Sequence, residues 1–192
     1  DVLRERGVLF TPVAAQPGES FAWRTLGTLP LNLYHRAAAF DDAGKVLVLY
    51  GGLDLDNAAR ANVDVVDLSD PGLDKAVLRP NVRPSGPIAA LFGSSAAARS
   101  AGGRRQIVIT GGANTVGDPF DLIQVYDLAT ETWVNIRPTG RFDRRVFHAS
   151  TYDPGADVLI VHGGSERCEL FPPAGPATCE DPYATTQFLV FD

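Results

Sequence analysis

The sequence has no methionine, two cysteines, two lysines and three histidines among its 192 residues. Because position 1 is Asp1, the missing methionine predicts a processed chain or a piece of a longer one. No apolar run approaches the roughly 18 residues of a membrane-spanning helix, and no signal-peptide pattern stands at the start. With 45% hydrophobic and 21% charged residues, the composition is that of a globular domain and excludes a disordered chain.

The net charge is −6 at pH 7. Nucleic-acid binding needs a basic surface that neutralises phosphates, so the acidic balance argues against nucleic acid as the main partner. We therefore expect neither a nucleic-acid partner nor a membrane span.

The two cysteines, Cys168 and Cys179, are separated by ten residues. They lack the CxxC spacing of redox sites, and no histidine pair nearby has the spacing of zinc ligands. The pattern favours a local disulfide that closes a surface loop, with two free thiols as the alternative. A disulfide predicts an oxidising compartment, so we expect a secreted protein, extracellular or periplasmic.

The dominant feature is an internal repeat. Three apolar runs, at 46–50, 106–110 and 158–162, each end in a glycine pair. The pairs are Gly51 and Gly52, Gly111 and Gly112, and Gly163 and Gly164. A second strand-like run ending in aspartate follows each pair, at 63–67, 123–127 and 187–192. The third repeat has 13 additional residues that hold the cysteines, which indicates an insertion within 165–186.

Each repeat is completed by two more short strands. Residues 36–40 and 148–152 precede two of the glycine pairs by the same offset, and each is followed by a turn rich in Asp, Gly or Pro. In the middle repeat we place this strand at 88–92 and a low-complexity loop at 93–103. A fourth strand is predicted at 131–136 and, more weakly, at 75–79. The repeat unit is therefore four short antiparallel strands.

These units resemble kelch repeats, the blades of β-propellers related to the central domain of galactose oxidase. The resemblance covers almost the whole chain and is carried best by YDLATETW at 126–133, followed by Pro138, Arg141 and the pair Arg144 and Arg145. It departs from the pattern in two places. The middle repeat has no Arg or His before its first strand, and the first repeat has no Trp in 75–79.

The resemblance implies an all-β fold of about three to four blades. We expect the last strands of a preceding blade at 1–30, including strands at 7–10 and 21–26, and complete blades at 31–80 and 81–138. A blade without its outer strand is expected at 139–192. Propellers close with about four to eight blades, so three cannot close. The alternatives are a fragment of a larger ring, two copies forming halves of a six-blade ring, and an unusual small closed form.

The resemblance also divides the candidate residues into structural and binding sets. It implies packing roles for the six glycines of the pairs, for Trp23 and Trp133 between blades, and for His148 within a blade. His162 ends an inner strand near the central channel, where family ligands reach. Arg36, Arg141, Arg144 and Arg145 lie in loops at one mouth of the propeller, where guanidinium groups bind carboxylates. Salt bridges to nearby aspartates are the alternative for these arginines.

Metal and catalytic signals are weak. The acidic loop at 54–57 lacks the central glycine and final glutamate of a calcium-binding EF-hand loop, since Ala59 and Val65 stand there. No galactose-oxidase copper set of two tyrosines and two histidines is recognisable, and no metal, cofactor or catalytic residue is predicted.

The expected function is a binding module that contacts another protein, or the remaining blades of its own propeller, through its loops. The alternative is part of a propeller enzyme acting on carbohydrates, similar to galactose oxidase or a sugar mutarotase, with catalytic residues outside this chain. Whether the protein is an enzyme stays open.

Overall fold

The computed structural model describes residues 29, 31–70, 77–169, 178–182 and 185–191, and they form an all-β protein. Thirteen strands and no helix occur in this part of the chain. No helix there could therefore cross a membrane.

Antiparallel sheets repeat along the chain. The first sheet contains β1 (Ala37–Asp41), β2 (Val46–Tyr50), β3 (Val63–Asp67) and β4 (Val77–Val82), hydrogen-bonded in chain order. The second sheet repeats this order with β5 (Ser95–Ala101), β6 (Arg104–Thr110), β7 (Ile123–Asp127) and β8 (Thr132–Ile136).

The third sheet has three described strands. They are β9 (Ala149–Asp153), β10 (Val158–His162) and β13 (Thr186–Val190), with β10 in the centre. A separate hairpin of β11 (Ser165–Glu169) and β12 (Thr178–Pro182) occupies the insertion between β10 and β13. No described strand pairs with the free edge of β13. The N-terminal strands predicted at 7–10 and 21–26, and Trp23, lie outside the described residues.

Several predicted strands are confirmed with both boundaries, because their alternating or continuous apolar patterns end at glycine or aspartate. These are 46–50, 63–67, 123–127 and 158–162. The predicted strands at 36–40 and 148–152 each start one residue later, and the weak strand at 75–79 lies at Val77–Val82.

The first strand of the middle repeat was predicted wrongly. The segment 93–103 is not a loop, because Ser95–Ala101 forms β5 and pairs with β6 over seven residues. The predicted strand at 88–92 makes only an isolated bridge, between Phe92 and Ala113. The physical reason is packing: β5 lies between β1 and β9, where small alanine side chains let neighbouring strands approach.

The sheets stack face to face. Tyr50, Val48 and Val65 of the first sheet pack on Ile107 and Ile109 of the second. The opposite face of the second sheet packs on the third, where Val108 and Val125 meet Leu159 and Val161. Within the part of the chain that the structure describes, the second sheet is therefore covered on both faces, and each outer sheet on one.

The first strands of the three sheets form an arc. β5 adjoins β1 on one side and β9 on the other. All three line one open cavity of about 330 Å³, at residues 38–40, 96–98 and 150–152. Alanine side chains of β1 and β5 border this cavity, together with the larger Phe40 and Tyr152.

Candidate functional site

The glycine pairs define one end of the sheets, which we call the loop end. It contains residues 51–62 and 111–122, the β11–β12 hairpin, and the segments that enter β1, β5 and β9. Gly52 N donates to Leu91 O, and Gly112 N donates to Arg145 O, both at 2.9 Å. These backbone bonds join neighbouring sheets at the loop end.

Glycine is required here by close approach. A Cβ placed on Gly111 would lie 2.4 Å from the carbonyl oxygen of Arg145, and the φ angle of Gly111 is +56°. A Cβ on Gly51 would lie 2.3 Å from the carbonyl oxygen of Leu91. Both the conformation and the space at these positions exclude larger residues.

Two equivalent loops project from this end. In the first, Asp54 Oδ1 accepts hydrogen bonds from the backbone N–H groups of Asp56 and Ala58, at 3.0 and 2.9 Å. In the second, Asn114 Oδ1 accepts from Val116 and Asp118 in the same way, at 3.1 and 3.0 Å. These side-chain bonds give both loops the same turn.

An exposed apolar side chain occupies the tip of each loop. Leu55 is 76% exposed and Val116 is 79% exposed. The loops are also tied to each other, because Ala59 N donates to Thr115 Oγ1 at 3.0 Å. The two loops, each carrying one exposed apolar side chain, are therefore hydrogen-bonded to each other.

The acidic first loop uses its charge internally. Asp54 binds the Arg60 guanidinium, with a distance of 2.6 Å from Nε to Oδ2. The hydrogen bond from Ala58 N is the main cause that lowers the pKa of Asp54, and the Arg60 guanidinium lowers it further. Desolvation acts in the opposite direction but is outweighed. Across the described ranges, no group of three or more His, Cys, Asp or Glu residues is placed to hold a metal ion.

A cleft of about 740 Å³ lies beside the second loop. Its walls come from residues 114–122 and from the segment between β8 and β9, with Phe120 and Phe142 among them. Arg137 and Arg144 also line it. Both arginines are exposed, while the other wall carries Asp118 and Asp121. The cleft thus offers apolar surface together with charges of both signs.

The predicted arginine cluster separates into buried and exposed members. The side chain of Arg145 is fully buried. Its Nη1 donates to Gly163 O at 2.9 Å and its Nη2 to Gln187 Oε1 at 2.8 Å. Arg36 forms a buried ion pair with Asp64, at 2.6 Å. These two arginines join elements of the fold and are not positioned to bind a ligand, because their guanidinium groups are enclosed.

Arg141 and Arg144 are the exposed members. Arg141 Nε donates to Asp143 Oδ1 at 2.6 Å, while its side chain stays 87% exposed. Arg144 lies in the 740 Å³ cleft and makes no hydrogen bond or ion pair within the described ranges. Of the four arginines proposed for binding, Arg144 is the one whose guanidinium is both accessible and uncommitted.

His148 lies between the second and third sheets. It is 8% exposed, and its Nε2 is 2.8 Å from Thr110 Oγ1. Burial, with a smaller effect from Arg145, lowers the pKa of His148 to about 4. The imidazole is therefore neutral at pH 7.

His162 has a different environment at the end of β10. It is exposed, with Nδ1 2.8 Å from Thr186 Oγ1. It does not line the 740 Å³ cleft.

Trp133 is 2% exposed and connects two sheets. Its ring centroid is 5.1 Å from that of Tyr50 in the first sheet and 5.6 Å from that of Tyr126 in its own. Its Nε1 donates to Gln124 Oε1 at 2.9 Å, and Gln124 Nε2 donates to the Tyr50 hydroxyl at 2.8 Å. Burial raises the pKa of Tyr50, so the hydroxyl stays protonated.

The cysteine hairpin also belongs to the loop end. Cys168 of β11 is directly opposite Cys179 of β12 in the strand register. Ser165, the first residue of β11, pairs with Val146 through two backbone hydrogen bonds, at 2.9 and 3.0 Å. The insertion therefore extends the loop end as a defined hairpin.

Sequence reasoning missed the tips Leu55 and Val116 and the cleft walls Phe120 and Phe142. A usable signal was present for the tips. Asp54 and Asn114 each stand two residues after a glycine pair, and the apolar residue follows one position after Asp54 and two after Asn114, in a polar loop where it has no core to enter. The cleft had no such signal, since its walls come from separate segments.

Together these features define a class: an all-β protein of repeated four-stranded, blade-like antiparallel sheets with an elaborated loop end. No protein-family model matches the sequence, and no curated protein matches it.

Proposed function

We propose that this chain is a kelch-like propeller module that binds another protein through its loop end. The observation that carries the proposal is the pair of exposed apolar tips, Leu55 and Val116, held by equivalent hydrogen-bonded turns. Apolar side chains on a rigid, rimmed surface are typical of protein interaction sites. A pre-organised loop also loses little conformational entropy on binding.

The cysteine hairpin supports this function, because it adds surface on the same end. The cleft beside the second loop supplies charged groups for the rim of an interface. Rim charges of this kind steer association and select partners more than they add affinity.

The test is a binding screen of the labelled chain against an array of purified extracellular proteins. We expect L55D/V116D to lose binding to each specific hit by at least about tenfold, because a carboxylate replaces an apolar contact. The matched control is V134D, since Val134 is 52% exposed on β8 and away from the loop end. Binding that both variants retain equally, or no specific hit, would contradict the proposal.

A second candidate function is carbohydrate binding, alone or as part of a propeller enzyme. The 740 Å³ cleft favours it, because phenylalanine faces pack on sugar rings while carboxylates and guanidinium groups bind hydroxyls. A glycan array with the wild type, F142A/R144A and the control R79A tests this. Loss confined to the cleft variant supports the sugar site, and a featureless array opposes it.

We also propose that the protein is secreted, extracellular or periplasmic. The proposal rests on the opposed positions of Cys168 and Cys179, which suit a disulfide across the hairpin. Thiol titration in denaturant without reductant should find no free thiol. Two reactive thiols in the protein purified from its native compartment would count against both the bond and the location.

A further inference from the structure

The two outer sheets each leave one apolar face exposed. On the first sheet, Phe40 is 44% exposed, with Leu47 and Leu49 beside it. On the third sheet, Phe188 is 65% and Val190 60% exposed. Faces of this kind are covered wherever a neighbouring sheet is present in the chain.

Strand register relates these faces to the interfaces inside the molecule. Phe188 corresponds to Val125 of the second sheet, since both are third residues of equivalent strands. Val125 is 6% exposed because the third sheet covers it. Likewise, Leu47 and Leu49 correspond to Ile107 and Ile109, which the first sheet covers. The exposed face of the third sheet thus corresponds to the face of the second sheet that packs on the third. The exposed face of the first sheet corresponds to the face of the second sheet that packs on the first.

Ion pairs between neighbouring sheets relate the two exposed faces independently of the apolar residues. At the first internal junction, Arg105 Nη1 bonds to Asp41 Oδ2 at 2.9 Å. At the second, Arg99 and Asp157 form a two-pronged pair, with Nη2 to Oδ2 at 2.7 Å and Nε to Oδ1 at 2.8 Å. Asp41 and Arg99 are both the fifth residues of their strands, and each faces the hairpin turn of the next sheet.

The same two positions in the unpaired sheets carry opposite charges. Asp153 is the fifth residue of β9 and is exposed. Lys45 is the turn residue directly before β2 and corresponds to Arg105 and Asp157. Among the described residues, the Lys45 ammonium pairs with the exposed Asp42 of its own turn. A third junction built like the first two would therefore pair Asp153 with Lys45.

We propose that two copies of this chain associate head to tail, with the third sheet of each copy on the first sheet of the other. Each junction buries Phe188 and Val190 against the first sheet and pairs Asp153 with the other copy's Lys45. The arc of β1, β5 and β9 gives each added sheet the same sense of rotation. A head-to-tail contact closes into a ring when its rotation returns the last sheet to the first, and six sheets lie within the range of closed propellers.

The experiment is sedimentation velocity of the whole 192-residue chain over a wide concentration range. We expect a particle of twice the 20.5 kDa chain mass. D153K and K45D should each weaken association by at least about tenfold, because like charges then meet at both junctions. The double variant D153K/K45D restores opposite charges and should recover association.

Controls separate association from folding. D121K changes an exposed aspartate on the loop end, and V134D an exposed valine on β8; both should associate as the wild type does. F188D should give a folded single chain, with unchanged circular dichroism. A single chain at all concentrations, an assembly larger than two copies, or a double variant as weak as the single ones would each overturn the proposal.

Discussion

At the scale of single residues, the molecule is held together by side chains that cross from one sheet to the next. Trp133 reaches Tyr50 and Gln124, and Arg145 joins the segment before β9 to β10 and β13. Trp133 Nε1, Gln124 Nε2 and the two Nη atoms of Arg145 have partners whose removal would leave these groups unsatisfied. Such positions set stability, and their exposed neighbours remain for binding.

The first prediction concerns Trp133. Trp133→Ala should lower the free energy of unfolding by about 3–5 kcal/mol, because it leaves a cavity between two sheets and removes the Gln124 bond. Trp133→Phe should cost less, since it keeps the ring contact with Tyr50. Urea unfolding followed by circular dichroism measures both. A loss below about 1 kcal/mol for the alanine variant would contradict the inter-sheet role.

The second prediction is a pH dependence from His148, whose folded pKa of about 4 lies below the ordinary value of 6.5. The unfolded chain binds the proton more readily than the folded chain. The contribution of neutral His148 to the free energy of unfolding is therefore fully present above pH 6.5 and decreases as the pH falls towards 4. The loss should be about 3 kcal/mol over this window. Urea unfolding at pH 7 and pH 4.5 should show a smaller change in His148→Gln. An equal change in both proteins would assign it to other groups.

At the scale of elements, β5 is the clearest difference between sequence and structure. Its seven residues include four alanines, and this composition predicts a loop when the segment is considered alone. Its position between β1 and β9 makes small side chains favourable, and β6 supplies a full ladder of partners. The element therefore forms because of its neighbours.

The third prediction tests this placement. Ala97 is 8% exposed and faces the third sheet, so Ala97→Glu should destabilise the fold by at least about 2 kcal/mol by burying an unpaired charge. Ser100→Glu on the same strand is the control, because Ser100 is exposed and should change little. Thermal unfolding of the two variants gives the comparison. Similar melting temperatures would mean that 95–101 is a loop in solution.

At the scale of the whole molecule, the three sheets differ in how much of their surface is covered by other sheets. The second sheet is covered on both faces, while the third has an exposed face and a β13 edge that no described strand covers. Local opening follows the number of buried contacts an element makes. The third sheet is therefore the first place where the fold should open.

The fourth prediction follows from that gradient. In native-state hydrogen exchange of dilute protein, peptides covering 186–190 should lose protection well before peptides covering 104–110. High protein concentration should raise the protection of 186–190 if the exposed faces are covered by a second copy. Uniform protection across both segments in dilute protein would contradict the gradient.

Sequence alone predicted much of the repeat. The glycine pairs, the β2, β6 and β10 runs and the Trp133 region follow from local rules, because apolar patterning and turn residues act within a few positions. The charges at positions 41, 99 and 153 alternate in sign, and this is visible in the sequence. Only the strand register shows that the three positions are structurally equivalent. The candidate site was predictable only in part: of the binding candidates, Arg144 lines the cleft, whereas Arg145 and Arg36 have enclosed guanidinium groups.

Tertiary structure decided which of these residues meet and which stay exposed. The bond of Arg145 to Gln187, the position of Ser95–Ala101 between β1 and β9, and the link between the Leu55 and Val116 loops all depend on contacts between segments more than thirty residues apart. The fractions of hydrophobic and charged residues bounded the class of protein, because composition limits what a chain can bury and bind. Only the packing between sheets determined which sheet faces and loop tips stay exposed for a partner, because exposure is a property of the assembled fold.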